Sequence, residues 1–214
     1  MSLTPSIAAP AAHAARRRVG PLPIPSAYGG ITARDIGLVV AGTGALVAVM
    51  WLRHGGIATT LADPLEGIGQ LAALGGTFAA LLGVLFASRA PWLDQVLGSD
   101  RLRRLHGWLG FAAVWAIGIH AILSTLAWAG GSLSSLLPTL AEMIATVPGM
   151  LGAVVGLALF VAVGITSVRA VRRRASYETF HGIHLYVYLA VAFGYLHQVA
   201  VGSDFVGDPL AQAF

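Results

Sequence analysis

The chain has 214 residues, of which 57% are hydrophobic and 10% charged; an average soluble domain carries about 25% charged residues, so this is a membrane composition. It contains no cysteine, which excludes disulfides, iron–sulfur clusters, thiolate ligation and covalent attachment of a cofactor through Cys-x-x-Cys-His. The formal charge of +4 does not point to nucleic acid, because the basic residues, all arginine, lie in short runs between apolar segments.

Residues 1–33 are rich in Ala and Pro and carry Arg16, Arg17 and Arg18. No apolar core followed by a small-residue cleavage site occurs there, so a cleaved signal peptide is not expected. Pro21, Pro23 and Pro25 predict an extended, poorly ordered arm. Five apolar segments follow, at Asp35–Leu52, Leu71–Ser88, Leu105–Ala129, Pro148–Val168 and His181–Val201. Each is long enough to cross a bilayer as a helix. The expected fold is therefore an all-α, polytopic transmembrane helix bundle, with its membrane domain over residues 34–205. Gly152 and Gly156 in the fourth segment, and Gly42 and Gly44 in the first, are small residues of the kind that allow close helix approach in lipid.

The arginines set the expected orientation. Arg16–Arg18 and Arg34 precede the first segment, Arg89, Arg101, Arg103 and Arg104 lie between the second and third, and Arg169 and Arg172–Arg174 between the fourth and fifth. The opposite connections carry Arg53 alone, with Asp63, Glu66, Glu142, Asp204 and Asp208. The positive-inside rule puts the arginine side, and the N-terminus, in the cytoplasm of a multi-pass protein of a bacterial inner membrane. Five spans leave residues 206–214 as an extracytoplasmic tail or the start of a sixth span that the chain lacks.

Four histidines inside the apolar segments carry the functional signal. His106 and His120 lie in the third segment, and His184 and His197 in the fifth. An ionisable side chain within a membrane span needs a function or a partner. Separations of 14 and 13 positions correspond to roughly 20 Å along a helix axis, most of a hydrocarbon core about 30 Å thick. Both segments run from inside to outside, so His106 pairs with His184 at an inner level and His120 with His197 at an outer one. Two such pairs suit two planar cofactors held as bis-histidine b-type hemes between the third and fifth helices. Six-coordinate iron of this kind moves electrons and leaves no metal position open.

At about 100° per residue, His106 and His120 fall some 40° apart on one helix face, whereas His184 and His197 fall about 140° apart. Gly194 offers a point of local distortion. His181 is an alternative inner ligand or a docking contact. Arg101, Arg103 and Arg104, about a turn before His106, are candidate contacts for the propionates of an inner heme. Gly107, Gly110 and Gly182 either leave room for a porphyrin face or serve packing. Trp115 lies between the two levels, as a packing or lipid-facing ring. His13 and His54 fall outside the segments and are expected to be solvated. Two further readings stay open: a non-heme metal or proton transporter, against which it argues that only one carboxylate, Asp35, approaches a span, at its edge, and histidines that are structural helix contacts.

The stretch SRAPWLDQVLGSDRLRRLHGWLG (Ser88–Gly110), His120, and the stretch YETFHGIHLYVYLAVAFGYLHQV (Tyr177–Val199) resemble the ferric reductase-like transmembrane domain family. That group spans bacterial heme/flavin oxidoreductases, eukaryotic ferric reductases and NADPH oxidases. Its pattern is a histidine pair with 13 intervening residues in the third helix and one with 12 or 13 in the fifth, matched here by His106/His120 and His184/His197. The resemblance implies electron flow from cytoplasmic NAD(P)H through FAD to an inner heme, an outer heme and an extracytoplasmic acceptor. The sixth span and the FAD- and nicotinamide-binding regions of the family pattern are not in the chain. FAD and NAD(P)H are therefore expected only on a missing domain or a partner flavoprotein. The resemblance also includes a sister group, heme subunits serving a periplasmic methionine sulfoxide reductase without a flavoprotein domain of their own. The Ser88–Gly110 loop looks more like the flavoprotein-fused branch, which implies a truncated longer reductase.

Overall fold

The computed structural model describes residues 30–168 and 176–202. The arm over residues 1–29 with His13 and Arg16–Arg18, the basic run Arg169–Arg174, and residues 203–214 with Asp204 and Asp208 lie outside the described residues. Among those described, the structure is all helical. Five helices are long and apolar enough to cross a membrane: α1 (Ala33–Arg53), α3 (Pro64–Ala87), α5 (Ser99–Trp128), α7 (Met150–Ser167) and α8 (Tyr177–Val201). Three shorter helices, α2 (Gly56–Ala62), α4 (Pro91–Leu97) and α6 (Leu136–Thr146), lie in the connections.

Helix ends follow capping chemistry rather than hydropathy. Thr32 and Asp35 form a reciprocal capping box at the start of α1. Asp63 accepts from the Leu65 and Glu66 amides, with Pro64 at the first helical position, so α3 starts well before the apolar run at Leu71. Gly98, at φ 76°, turns the chain into α5, which starts at Ser99 rather than Leu105. Ser176 caps α8 by accepting from the Thr179 amide. The α8 helix runs unbroken through Gly194, so the expected distortion there is not found.

Most of the helix surface is apolar and uncovered by protein. Trp108, Phe111, Trp115, Ile122, Tyr188 and Leu196 are all more than half exposed, and Trp115 is accordingly an outward ring rather than core. Such a surface is stable only against lipid, and the chain is a multi-pass membrane protein.

The interior is built from small residues. Ala79, Ala80, Ala113, Phe160 and Ala190 form one buried cluster where α3, α5, α7 and α8 converge. A second cluster joins Ile36, Phe86, Leu93 and Leu102; here α4 inserts the fully buried Leu93 beneath the ends of α1, α3 and α5.

Two antiparallel helix pairs organise the bundle: α3 lies along α5, and α7 along α8. Along the first seam, Gly69, Gly76 and Gly83 recur at seven-residue intervals and are all buried. A Cβ at Gly76 would lie 2.7 Å from Ile117 Cγ1, and one at Gly69 would lie 2.9 Å from Ser124 Oγ. At 76 only glycine allows that approach, whereas at 69 the near neighbour is the tip of a rotatable serine side chain. Along the second seam, a Cβ at Gly156 would lie 3.1 Å from Phe193 Cβ and 3.2 Å from the Ala190 carbonyl oxygen, and one at Gly152 would lie 3.5 Å from the Phe193 ring. The expected close packing at Gly152 and Gly156 is thus observed. In α1, Gly44 faces Phe78, but Gly42 meets nothing within 4 Å, so only one of that pair lies at a helix contact.

Candidate electron-transfer site

The glycine seam delivers two histidines in fixed orientation. His106 Nδ1 lies 2.9 Å from the Gly83 carbonyl oxygen. His120 Nδ1 lies 3.0 Å from the Gly69 carbonyl oxygen. Gly69 to Gly83 is 14 positions, the same interval as His106 to His120, so the antiparallel helices repeat one contact at two levels. A carbonyl oxygen can only accept, which puts the proton on Nδ1 in both rings and leaves the Nε2 lone pair free. That is the tautomer and orientation that a metal-ligating histidine needs, its second nitrogen tied to a backbone acceptor. Ser124 Oγ also approaches His120 Nδ1, at 3.2 Å.

Across the bundle, α8 contributes the other two. The His184 ring lies 5.8 Å from the His106 ring, centroid to centroid, with an interplanar angle of 69°. Phe180 stacks on His184 at 5.3 Å and fixes its other side. A Cβ at Gly149, at the start of α7, would lie 3.6 Å from the His197 Cα, so α7 packs closely on this turn of α8. The His197 Nδ1 is buried and has no hydrogen-bond partner among the described residues. Of the two sequence-expected pairs, His106 with His184 is brought into ring contact; His120 and His197 lie toward the other ends of the same two helices.

The remaining candidates separate. His181 is exposed and stacks on Tyr177 at 5.9 Å, nearly parallel; the ring that meets His106 is His184. Arg101, Arg103 and Arg104 lie exposed in the first two turns of α5, and Arg103 pairs with Asp100. His54 is only part-exposed and its Nδ1 donates to the Met50 carbonyl at 2.8 Å, closing the end of α1. The backbone acceptors Gly69 and Gly83, and Ser124 beside them, were missed from sequence. Their signal was the seven-residue glycine repeat.

The donor set and its surroundings fit a heme. A metal–imidazole bond is about 2 Å, so two imidazoles on one iron stand with centroids about 6 Å apart; His106 and His184 have that separation. Although their histidines meet, α5 and α8 themselves scarcely touch. Cβ atoms at Gly107, Gly110, Gly118, Gly182 and Gly194 would meet nothing within 4 Å. Gly107, Gly182 and Gly194 are exposed, so these glycines lie on open helix surface rather than at helix contacts.

The fold and these histidines define a class: a helical membrane protein with histidines at two levels of its membrane-crossing helices. Residues 71–195, well over half of the chain, match the family described as ferric reductase like transmembrane component. The chain belongs to that family, and membership implies transmembrane electron transfer. The matched stretch holds His106, His120 and His184, while His197 lies two residues beyond it. Among curated proteins, and among solved structures, none matches the chain.

Proposed function

We propose that this chain carries electrons across a bacterial inner membrane through two b-type hemes, one held by His106 and His184 and the other by His120 and His197. The observation that carries this reading is the repeated anchor, Nδ1 of His106 on Gly83 and Nδ1 of His120 on Gly69, at matched 14-residue intervals. A structural histidine needs one hydrogen bond of either kind; two rings held in the same tautomer with Nε2 left free is the arrangement that ligation requires. Bound heme would supply one-electron redox chemistry at each level.

The protein's own residues do the rest. The glycine carbonyls fix both α5 imidazoles and, by accepting the Nδ1 proton, raise the basicity of Nε2. Each pair would supply two imidazoles to a heme, which held in this way would pass electrons rather than bind a substrate at the metal. The apolar shell keeps water from the path and holds the local dielectric low. Arg101 and Arg104 are the propionate contacts in this reading, because Arg103 already pairs with Asp100. His181 with Tyr177 forms a stacked, exposed surface for docking of the donor.

The orientation follows the arginine distribution: N-terminus in the cytoplasm, His106 and His184 at the cytoplasmic level. The donor is a cytoplasmic flavoprotein domain or subunit using FAD and NAD(P)H, and the acceptor is extracytoplasmic. The test is expression with heme supply and a redox-difference spectrum of the purified protein. A Soret band with the reduced bands of low-spin b-type heme is expected. A colourless protein would overturn the reading.

A further inference from the structure

The two levels share one anchor but differ in a second contact. His106 Nδ1 has the Gly83 carbonyl at 2.9 Å. His120 Nδ1 has the Gly69 carbonyl at 3.0 Å and, in addition, Ser124 Oγ at 3.2 Å. The carbonyl fixes the proton on Nδ1, so the hydroxyl oxygen must accept from that same N–H in a three-centre bond. Ser124 stands one helical turn beyond His120 on α5. The residue one turn beyond His106 is Gly110, which has no side chain to offer. The hydroxyl also has a dedicated place: a Cβ at Gly69 would lie 2.9 Å from Ser124 Oγ, so glycine at 69 keeps open the slot between α3 and α5 in which the hydroxyl lies.

Building on the heme reading above, we propose that Ser124 is a positioning residue that lowers the reduction potential of the heme held by His120, and that Gly110 leaves the His106 level without this control. A second acceptor draws the Nδ1 proton further from the ring and gives the imidazole more anionic character. A more anionic ligand stabilises ferric over ferrous iron, which lowers the potential. In an apolar seam the effect is not screened by water.

The test is a spectroelectrochemical titration of the full chain, heme-loaded, comparing wild type with Ser124→Ala, Ser124→Thr and Gly69→Ala. The component belonging to His120 is identified as the one lost in His120→Ala. In Ser124→Ala that component should move to higher potential while the other stays in place and heme content is retained. Ser124→Thr keeps the hydroxyl and should titrate like wild type. Gly69→Ala displaces the hydroxyl by contact with the new methyl and should move the same component in the same direction, which keeps the test available if Ser124→Ala loses heme. Heme-loaded variants with both components at wild-type potentials would overturn the role of Ser124 alone. A wild-type chain without porphyrin absorbance would overturn the heme reading and this inference with it.

Discussion

The α3–α5 seam and the α7–α8 seam solve the same packing problem differently. In the first, glycines at 69 and 76 bring the two helices close together, and the carbonyls of Gly69 and Gly83 hold His120 and His106 by their Nδ1 atoms. In the second, Gly152 and Gly156 receive the Phe193 side chain, His184 stacks on Phe180, and His197 has a buried Nδ1 with no hydrogen-bond partner among the described residues. One seam thus fixes ring tautomer and direction through hydrogen bonds. The other closes through the shape of Phe193 against two glycines. The α5 imidazoles are preorganised by the fold, and in the proposed reading the α8 imidazoles complete each pair.

The largest way to break this contrast is Gly76→Leu. Its Cβ would already lie 2.7 Å from Ile117 Cγ1 and 3.2 Å from the Ile117 amide nitrogen. Overpacking against backbone typically costs about 1–3 kcal/mol and sometimes more, and a leucine here should reach the top of that range. Thermal unfolding in detergent should drop sharply and heme should be lost from both levels, because the seam positions both anchors. Gly75→Ala is the control: its Cβ meets nothing within 4 Å, and stability should hardly change. A Gly76→Leu protein with wild-type melting and full heme would refute the role given to the seam.

Gly156→Leu probes the other seam. Its contacts are a side-chain carbon at 3.1 Å and the Ala190 carbonyl at 3.2 Å, looser than those at Gly76. The expected loss is about 1–2 kcal/mol, with α8 displaced and heme retention weakened, read by the same melts and by absorbance after size exclusion. Equal damage from Gly156→Leu and Gly76→Leu would erase the distinction between the seams. The smallest effect is expected at Asp63→Ala, which removes the side chain that caps α3 through the Leu65 and Glu66 amides. About 1 kcal/mol of stability should go, with heme content unchanged, since the anchors at Gly69 and Gly83 lie further along the helix.

The sequence made the membrane spans legible because hydropathy over some twenty residues is a strong, additive signal. It located their ends poorly, since α3 and α5 begin where Asp63, Pro64 and Gly98 dictate rather than where apolar residues start. The short helices α4 and α6 left no comparable trace, although α4 buries Leu93 completely. The pairing of His106 with His184 was readable from topology alone. The angular mismatch along α8 did not forbid it, because partners at two separate levels need not share one face of the helix. What sequence reasoning lacked was the partner of each Nδ1. A backbone carbonyl carries no side-chain signature, yet the glycine interval from 69 to 83 equals the histidine interval from 106 to 120, and that coincidence is visible in the letters.

The most direct test of the account is the heme-to-protein ratio of the purified chain, measured by pyridine hemochromogen assay for wild type and for the alanine variants of His106, His120, His184 and His197. The account predicts two hemes per chain in wild type. It predicts loss of one heme in each variant, with His106→Ala and His184→Ala removing the same spectral component and His120→Ala and His197→Ala the other. Full heme content in all four variants, or loss in pairs that cross the two levels, would contradict it.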